Sequence, residues 1–184
     1  TACPRWTILP LRAPRSFLFS YMIPTYGQHK AIGACSAPDP TIKDFSVDKT
    51  WFEVKVIGSK SPVVKINSVQ QLESKDPGNL VVFRFEKMAP SFHGANLNEI
   101  VLKINQILQS PEDSDLFQTK LLLAKYTYNE KYDEFEYAIK TSTIYSVDSE
   151  FPAIRSGDLQ LAVQNVEYEL LVDQLEKFIK IKGE

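Results

Sequence analysis

Between residues 42 and 57 the chain runs two strand-like segments, 42–46 and 51–57, around the polar turn Val47-Asp48-Lys49-Thr50. If Asp48-Lys49 form a two-residue hairpin turn, Val47 faces Thr50, and counting back from that pair places Asp44 opposite Glu53. Side chains alternate faces along a strand, so Lys55 projects on the side of Glu53, while Phe45, Phe52, Val54 and Val56 take the other side. The hairpin therefore sorts a D-x8-E-x-K constellation to one face and packing residues to the other.

Two carboxylates facing each other across a sheet repel, and a divalent cation would compensate them. Mg²⁺ takes hard oxygen ligands, is often held by one or two carboxylates, and completes its shell with water and phosphate oxygens. Such an ion activates water and stabilises charge on a phosphodiester, and a lysine on the same face can orient the attacking water. Spacing alone leaves the alternative of a solvated surface charge cluster, which would contribute little to stability.

The rest of the chain supplies a mixed set of elements. Residues 63–66 and 80–85 read as strands, with Asp76-Pro77-Gly78-Asn79 as a turn between them. A short helix over 69–74 can be capped by Asn67 or Ser68. Helical spacing of Leu97, Ile100, Val101, Ile104, Ile107 and Leu108 predicts a helix over 96–109 with Asn96 as its cap, and Ser110-Pro111-Glu112 breaks before another. Partial alternation predicts a long strand over 135–147, a loop over 151–161, a strand over 166–171 and an amphipathic end over 172–181. This order implies one sheet with helices, α+β or α/β.

Residues 1–37 stand apart. Arg5, Arg12, Arg15 and Lys30 occur there with no acid, the first carboxylate being Asp39, and no helical or strand period is evident. The segment reads as the edge of a fragment or a misread region ahead of a domain over 38–184. Its apolar run 16–23 is separated by polar residues 24–30 from Ile32-Gly33-Ala34-Cys35, so a continuous signal peptide is not read. Both cysteines, Cys3 and Cys35, lie there too, which suits a reducing cytoplasm and excludes a disulfide framework. No apolar run has the length of a membrane span.

Other chemistries find little support. His29 and His93 lack metal-ligand spacing and read as solvent residues, and there is no glycine-rich phosphate loop or nucleophile elbow. A net charge of −2 argues against gripping nucleic acid by bulk charge. Lys43, Lys49, Lys55, Lys60 and Lys65 could track a phosphate backbone locally or could discourage edge pairing. The acid-rich stretch 128–137 would repel DNA, and Tyr126, Tyr128 and Tyr132 read as packing residues.

Lys43-Asp44-Phe45 followed by Trp51-Phe52-Glu53-Val54-Lys55 resembles the PD-(D/E)XK nuclease superfamily. More narrowly, the chain is similar over about residues 38–182 to bacterial PD-(D/E)XK motif proteins found beside phage-defence and restriction genes. Ile66-Asn67-Ser68-Val69-Gln70-Gln71-Leu72, Leu97-Asn98-Glu99-Ile100, Tyr145-Ser146-Val147-Asp148 and Phe151-Pro152-Ala153-Ile154-Arg155 carry that similarity.

The resemblance implies an α/β, restriction-endonuclease-like central mixed sheet flanked by helices, with C-terminal strand and helix additions. It makes Asp44, Glu53 and the Val54 backbone carbonyl ligands of Mg²⁺, with Mn²⁺ a substitute. It makes Lys55 the catalytic lysine and Gln71 a residue that completes the site. The implied activity is hydrolysis of DNA phosphodiesters in a defence system, with other subunits or a homodimer as partners. The alternative is a non-catalytic subunit serving DNA binding or assembly. Two departures stand out: Lys43 occupies the usual proline position before the aspartate, and no acid precedes Asp39 to supply the glutamate such proteins often carry on an earlier helix.

Overall fold

A computed structural model of the chain describes residues 8–36, 43–88, 96–133 and 137–183. The hairpin forms in the expected register. Strand β1 (Phe45–Val47) pairs antiparallel with β2 (Thr50–Gly58), Val47 facing Thr50 and Phe45 facing Phe52. Both turn residues are left-handed, Asp48 at φ 47° and Lys49 at φ 29°, the conformation whose twist matches the flanking strands.

After β3 (Val63–Ile66) comes β4 (Gly78–Lys87), which lies parallel to β2. Strand β5 (Tyr137–Val147) pairs antiparallel with β4, while β6 (Tyr168–Leu171) pairs with β3 in a separate two-stranded sheet. The main sheet closes with β7 (Ile179–Gly183), in the order β1-β2-β4-β5-β7. The sequence reading of an amphipathic end over 172–181 is corrected here: a 3-10 segment over Val172–Phe178 leads into an edge strand. Ile179 and Ile181 are partly exposed there, so the hydrophobic alternation is that of a strand buried on neither face.

Residues 8–34 also depart from the sequence reading. They form α1 (Ile8–Phe17), a π turn (Leu18–Met22), α2 (Ile23–Tyr26) and α3 (Gln28–Ala34). The helical period is hidden because the π turn shifts the register and Gly27, at φ 79°, breaks the chain direction. Ala13, Phe17, Leu18, Met22, Ala31 and Ile32 are buried in the same core as the sheet. Phe17 sits at its centre, with ring centroids 5.5 Å from Phe45 and 5.3 Å from Phe52.

Two further helices form where the sequence places them, the first with its expected cap. Asn96 accepts the Glu99 amide at 2.9 Å ahead of α4 (Leu97–Ile107), and Ser110 accepts the Asp113 amide at 3.0 Å ahead of α5 (Pro111–Leu123).

Alternation along β2 assigns its faces. Phe52 and Val54 join Val81, Phe83 and Phe85 beneath the helices, while Trp51 and Ile57 join Leu80, Val82, Tyr145 and Val147 beneath the β3–β6 pair. With both faces covered, β4 is a nearly continuous apolar run. The architecture is thus α/β, a mixed five-stranded sheet flanked by helices, of the restriction-endonuclease-like kind.

The segment after β3 corrects a further expectation. In place of a helix over 69–74 there is one 3-10 turn, Val69–Gln71. Lys43 Nζ donates to the Gln70 and Glu73 carbonyls, and Arg155 Nη1 donates to that of Leu72 at 3.0 Å. Buried Val69 and Leu72 anchor the turn in the second core.

Candidate active site

Asp44 is the bend residue before β1, at the point where the ladder to β2 stops. Its carboxylate takes the place of a strand partner, Oδ2 accepting the Val54 amide at 2.7 Å. Its own carbonyl accepts the Ser36 amide at 2.9 Å, which ties the end of the α3 segment to the hairpin.

Glu53 and Lys55 occupy the face of β2 between Trp51 and Ile57, beneath the smaller sheet. Glu53 is buried, at 4% exposure, so the solvated-cluster alternative does not describe it. Lys55 Nζ lies 3.0 Å from Glu53 Oε1 and donates to Gln71 Oε1 at 2.7 Å. The same Gln71 oxygen accepts the Asn67 amide at 2.8 Å, which fixes the carboxamide over the turn. All four predicted side chains therefore meet around the middle of β2.

Burial and the neighbouring groups set the ionisation of the two carboxyls. Burial pushes the Glu53 carboxyl up to about 7, and the neighbouring Asp44 adds to the rise while Lys55 and Lys43 oppose it. Asp44 is also raised, chiefly by burial, against the Val54 N–H, Lys55 and Arg15, which favour its ionised form. Asp44 thus disfavours the charge on Glu53. Among the described residues the two carboxylates gather no third Asp, Glu, His or Cys into a cluster.

Several participants escaped the sequence reading. Buried Arg15 of α1 stabilises the Asp44 charge, so the cationic segment before Asp39 contributes a cation to the site's surroundings. Lys43, read from the sequence as a departure from the usual proline and as one of five local lysines, packs its ammonium 4.0 Å from the Trp51 ring centroid, and burial lowers it to about 8. Arg155 also donates to the Asp148 carbonyl at 2.7 Å, and Glu73 accepts the Ser156 amide at 2.9 Å and its hydroxyl. These bonds clamp the segment that carries Gln71. Arg155 lay inside a matched motif, the one sequence signal for it.

The remaining candidates take ordinary places. His29 is exposed and bonds Asp113 at 2.7 Å, and His93 lies outside the described residues. Tyr126 and Tyr132 are buried and stacked, whereas Tyr128 is exposed. Glu134 and Glu136 of the acid-rich stretch lie outside the described residues. The lysines divide: Lys55 bonds Glu53 and Gln71, Lys43 bonds the segment that carries Gln71, Lys65 pairs with Glu167 at 2.6 Å, and Lys49 and Lys60 are exposed. Cys35 is a free thiol, and no helix among the described residues is long and apolar enough to cross a membrane.

Neither a search of curated proteins nor one of solved structures gave a match. A family model described as "Putative PD-(D/E)XK family member, (DUF4420)" matches residues 16–173, a span that starts in α1 and ends beyond β6. That span takes in the hairpin, the Gln71 turn and the Arg155 clamp, and the chain belongs to this PD-(D/E)XK family, DUF4420.

Proposed function

We propose that the chain hydrolyses DNA phosphodiesters with Mg²⁺, Mn²⁺ being a substitute, in a restriction or phage-defence setting. The observation that carries this reading is the meeting of Asp44, Glu53 and Lys55 on one hairpin, with Asp44 adding to the rise of the Glu53 pKa. That donor set fits a small hard cation: two carboxylates whose charges are costly alone and stabilised by a positive ion. Asp44, Glu53 and the Val54 carbonyl would hold it. When bound, the ion supplies Lewis acidity to the phosphoryl oxygen and makes water more acidic.

The chain's own groups do the rest. Lys55, steadied by Gln71 and Glu53, presents an ammonium that donates to the attacking water or to a phosphoryl oxygen and offsets charge building on phosphorus. Water oxygen adds to phosphorus and gives up a proton to solvent as the ester P–O bond breaks, and the leaving oxygen takes a proton from solvent. Gln71 holds the Lys55 amine in place through its carbonyl oxygen, and among the described residues its NH₂ group makes no hydrogen bond, so it can donate to a bound substrate. Given the modest net charge, other subunits or a second copy of the chain would contribute to DNA affinity.

A second reading, a non-catalytic subunit for DNA binding or assembly, is favoured by one observation: the acidic set among the described residues stops at two. Plasmid cleavage separates the two. The nuclease reading requires Mg²⁺- or Mn²⁺-dependent cleavage that Lys55→Ala and Glu53→Ala abolish. No cleavage with any partner present, or variants that cut as well as the parent, would overturn it, and metal-independent DNA binding would support the assembly role.

A further inference from the structure

The loop between Arg155 and β6 has no part in the chemistry above, yet it folds over the turn that carries Gln71. The two segments enclose a cleft of about 500 Å³, within the size range of small-molecule sites. Asn67, Gln70, Gln160, Gln164 and Asn165 line it, and no charged side chain does. All five carboxamides are exposed, and among the described residues their side chains make no hydrogen bond within the chain. Beside them Leu161 is wholly exposed, at 105%, and Val163 is 44% exposed.

The cleft adjoins the lysine. Asn67 donates its amide to Gln71 Oε1 at 2.8 Å, and that oxygen accepts Lys55 Nζ at 2.7 Å. A strand with one phosphate at Lys55 has its neighbouring nucleotide only about 3.4 Å further along the helix axis. A phosphate in the cleft would call for cations, and none lines it. A base edge calls for adjacent neutral donors and acceptors, which a carboxamide presents together, and the Asn or Gln carboxamide pairs in bidentate fashion with N6 and N7 of adenine. An apolar side chain projecting beside such groups is the kind that inserts between base steps.

We propose that this cleft is a base-reading subsite for a DNA strand held at Lys55, with adenine its best-matched base and Leu161 its wedge. The proposal rests on the reading of the Lys55 site as a nucleic-acid site.

The test is binding without cleavage. The Asp44→Asn chain, which keeps Lys55 and the acceptor for the Val54 amide but loses the metal that cleavage needs, is incubated with a randomised duplex library, the bound fraction is sequenced, and selected and scrambled duplexes are compared by fluorescence anisotropy. The expected result is a preference of about tenfold for duplexes with adenine at one or more fixed positions, of the size one bidentate contact gives. A Gln160→Ala/Gln164→Ala/Asn165→Ala variant on that background should lose the preference and keep its salt dependence, since phosphate contacts remain. Leu161→Ser should weaken binding to selected and scrambled duplexes alike. Circular dichroism reports whether each variant is folded.

No base preference, no DNA binding, or a preference untouched by the triple variant would overturn the proposal. The two readings fail separately. A chain that binds with this preference while the parent cleaves nothing leaves the subsite standing and removes hydrolysis. A parent that cleaves with Mg²⁺ and shows no base preference removes the subsite alone.

Discussion

Lys55 and Gln71 are joined by a 2.7 Å hydrogen bond, and the Gln71 oxygen that accepts it is also held by the Asn67 amide. The lysine on β2 is thereby fixed by a turn from the other sheet, and its second contact is Glu53 at 3.0 Å. Removing the amine and removing its support are therefore different experiments. Lys55→Ala should lower cleavage about 10²–10⁴-fold, the range of a positioned charged group in proton transfer and charge stabilisation. Gln71→Ala leaves the Glu53 contact and should cost about tenfold in kcat with little change in KM, measured as steady-state cleavage.

Glu53 carries a sign that pH can read. Its folded pKa, about 7, lies above its ordinary value of 4.5, so the folded state holds the proton more tightly than the unfolded one. The stability this adds is fully present below about pH 4.5 and is lost as pH rises through 7. In metal-free buffer the melting temperature of the parent, relative to Glu53→Gln, should therefore fall between pH 5 and 8. Metal affinity should move the opposite way, rising with pH through about 7 because the ion displaces the Glu53 proton, and calorimetric titration in two buffers should report proton release.

Asp44 has a structural duty distinct from metal binding, since its carboxylate satisfies the Val54 amide. Asp44→Asn keeps an acceptor there and should retain near-parent stability while losing Mg²⁺ affinity. Asp44→Ala leaves the amide without its partner and should cost about 1–3 kcal/mol in chemical denaturation. Equal destabilisation by the two substitutions would contradict the assigned bond.

The hairpin turn offers a gain. Lys49 holds a left-handed backbone at φ 29° with a Cβ, a conformation that glycine adopts without that penalty. Lys49→Gly should stabilise the chain by about 0.5 kcal/mol, the relief of strain being partly offset by the entropy glycine loses on folding. A lower denaturation midpoint for this variant would show that the turn is not strained.

Gly78 is required by a neighbour. A Cβ at that position would fall inside the Trp51 indole, whose ring in turn carries the Lys43 ammonium. Gly78→Ala should destabilise by about 1–3 kcal/mol, as an overpacked core does. Coupling it to Trp51→Ala should recover part of the loss, which thermal unfolding of the double variant can measure.

The sequence by itself determined the hairpin, its register and the side of β2 on which Glu53 and Lys55 stand. Those follow from local rules: a two-residue turn fixes the pairing, and period two fixes the face. It also placed α4 and α5, whose caps lie within three residues of the amides they satisfy. What it could not give was set by contacts between residues distant in the chain. The helices over 8–34 have their period broken by a π turn, and only burial against Phe45 and Phe52 reveals their packing face. The turn bearing Gln71 is held by Lys43 and Arg155, from either side of it in sequence, which take carbonyls of that segment. The raised pKa values of Asp44 and Glu53 come from desolvation by layers that local sequence does not announce. Local rules placed the candidate chemical groups, and tertiary packing decided how they are buried, supported and charged.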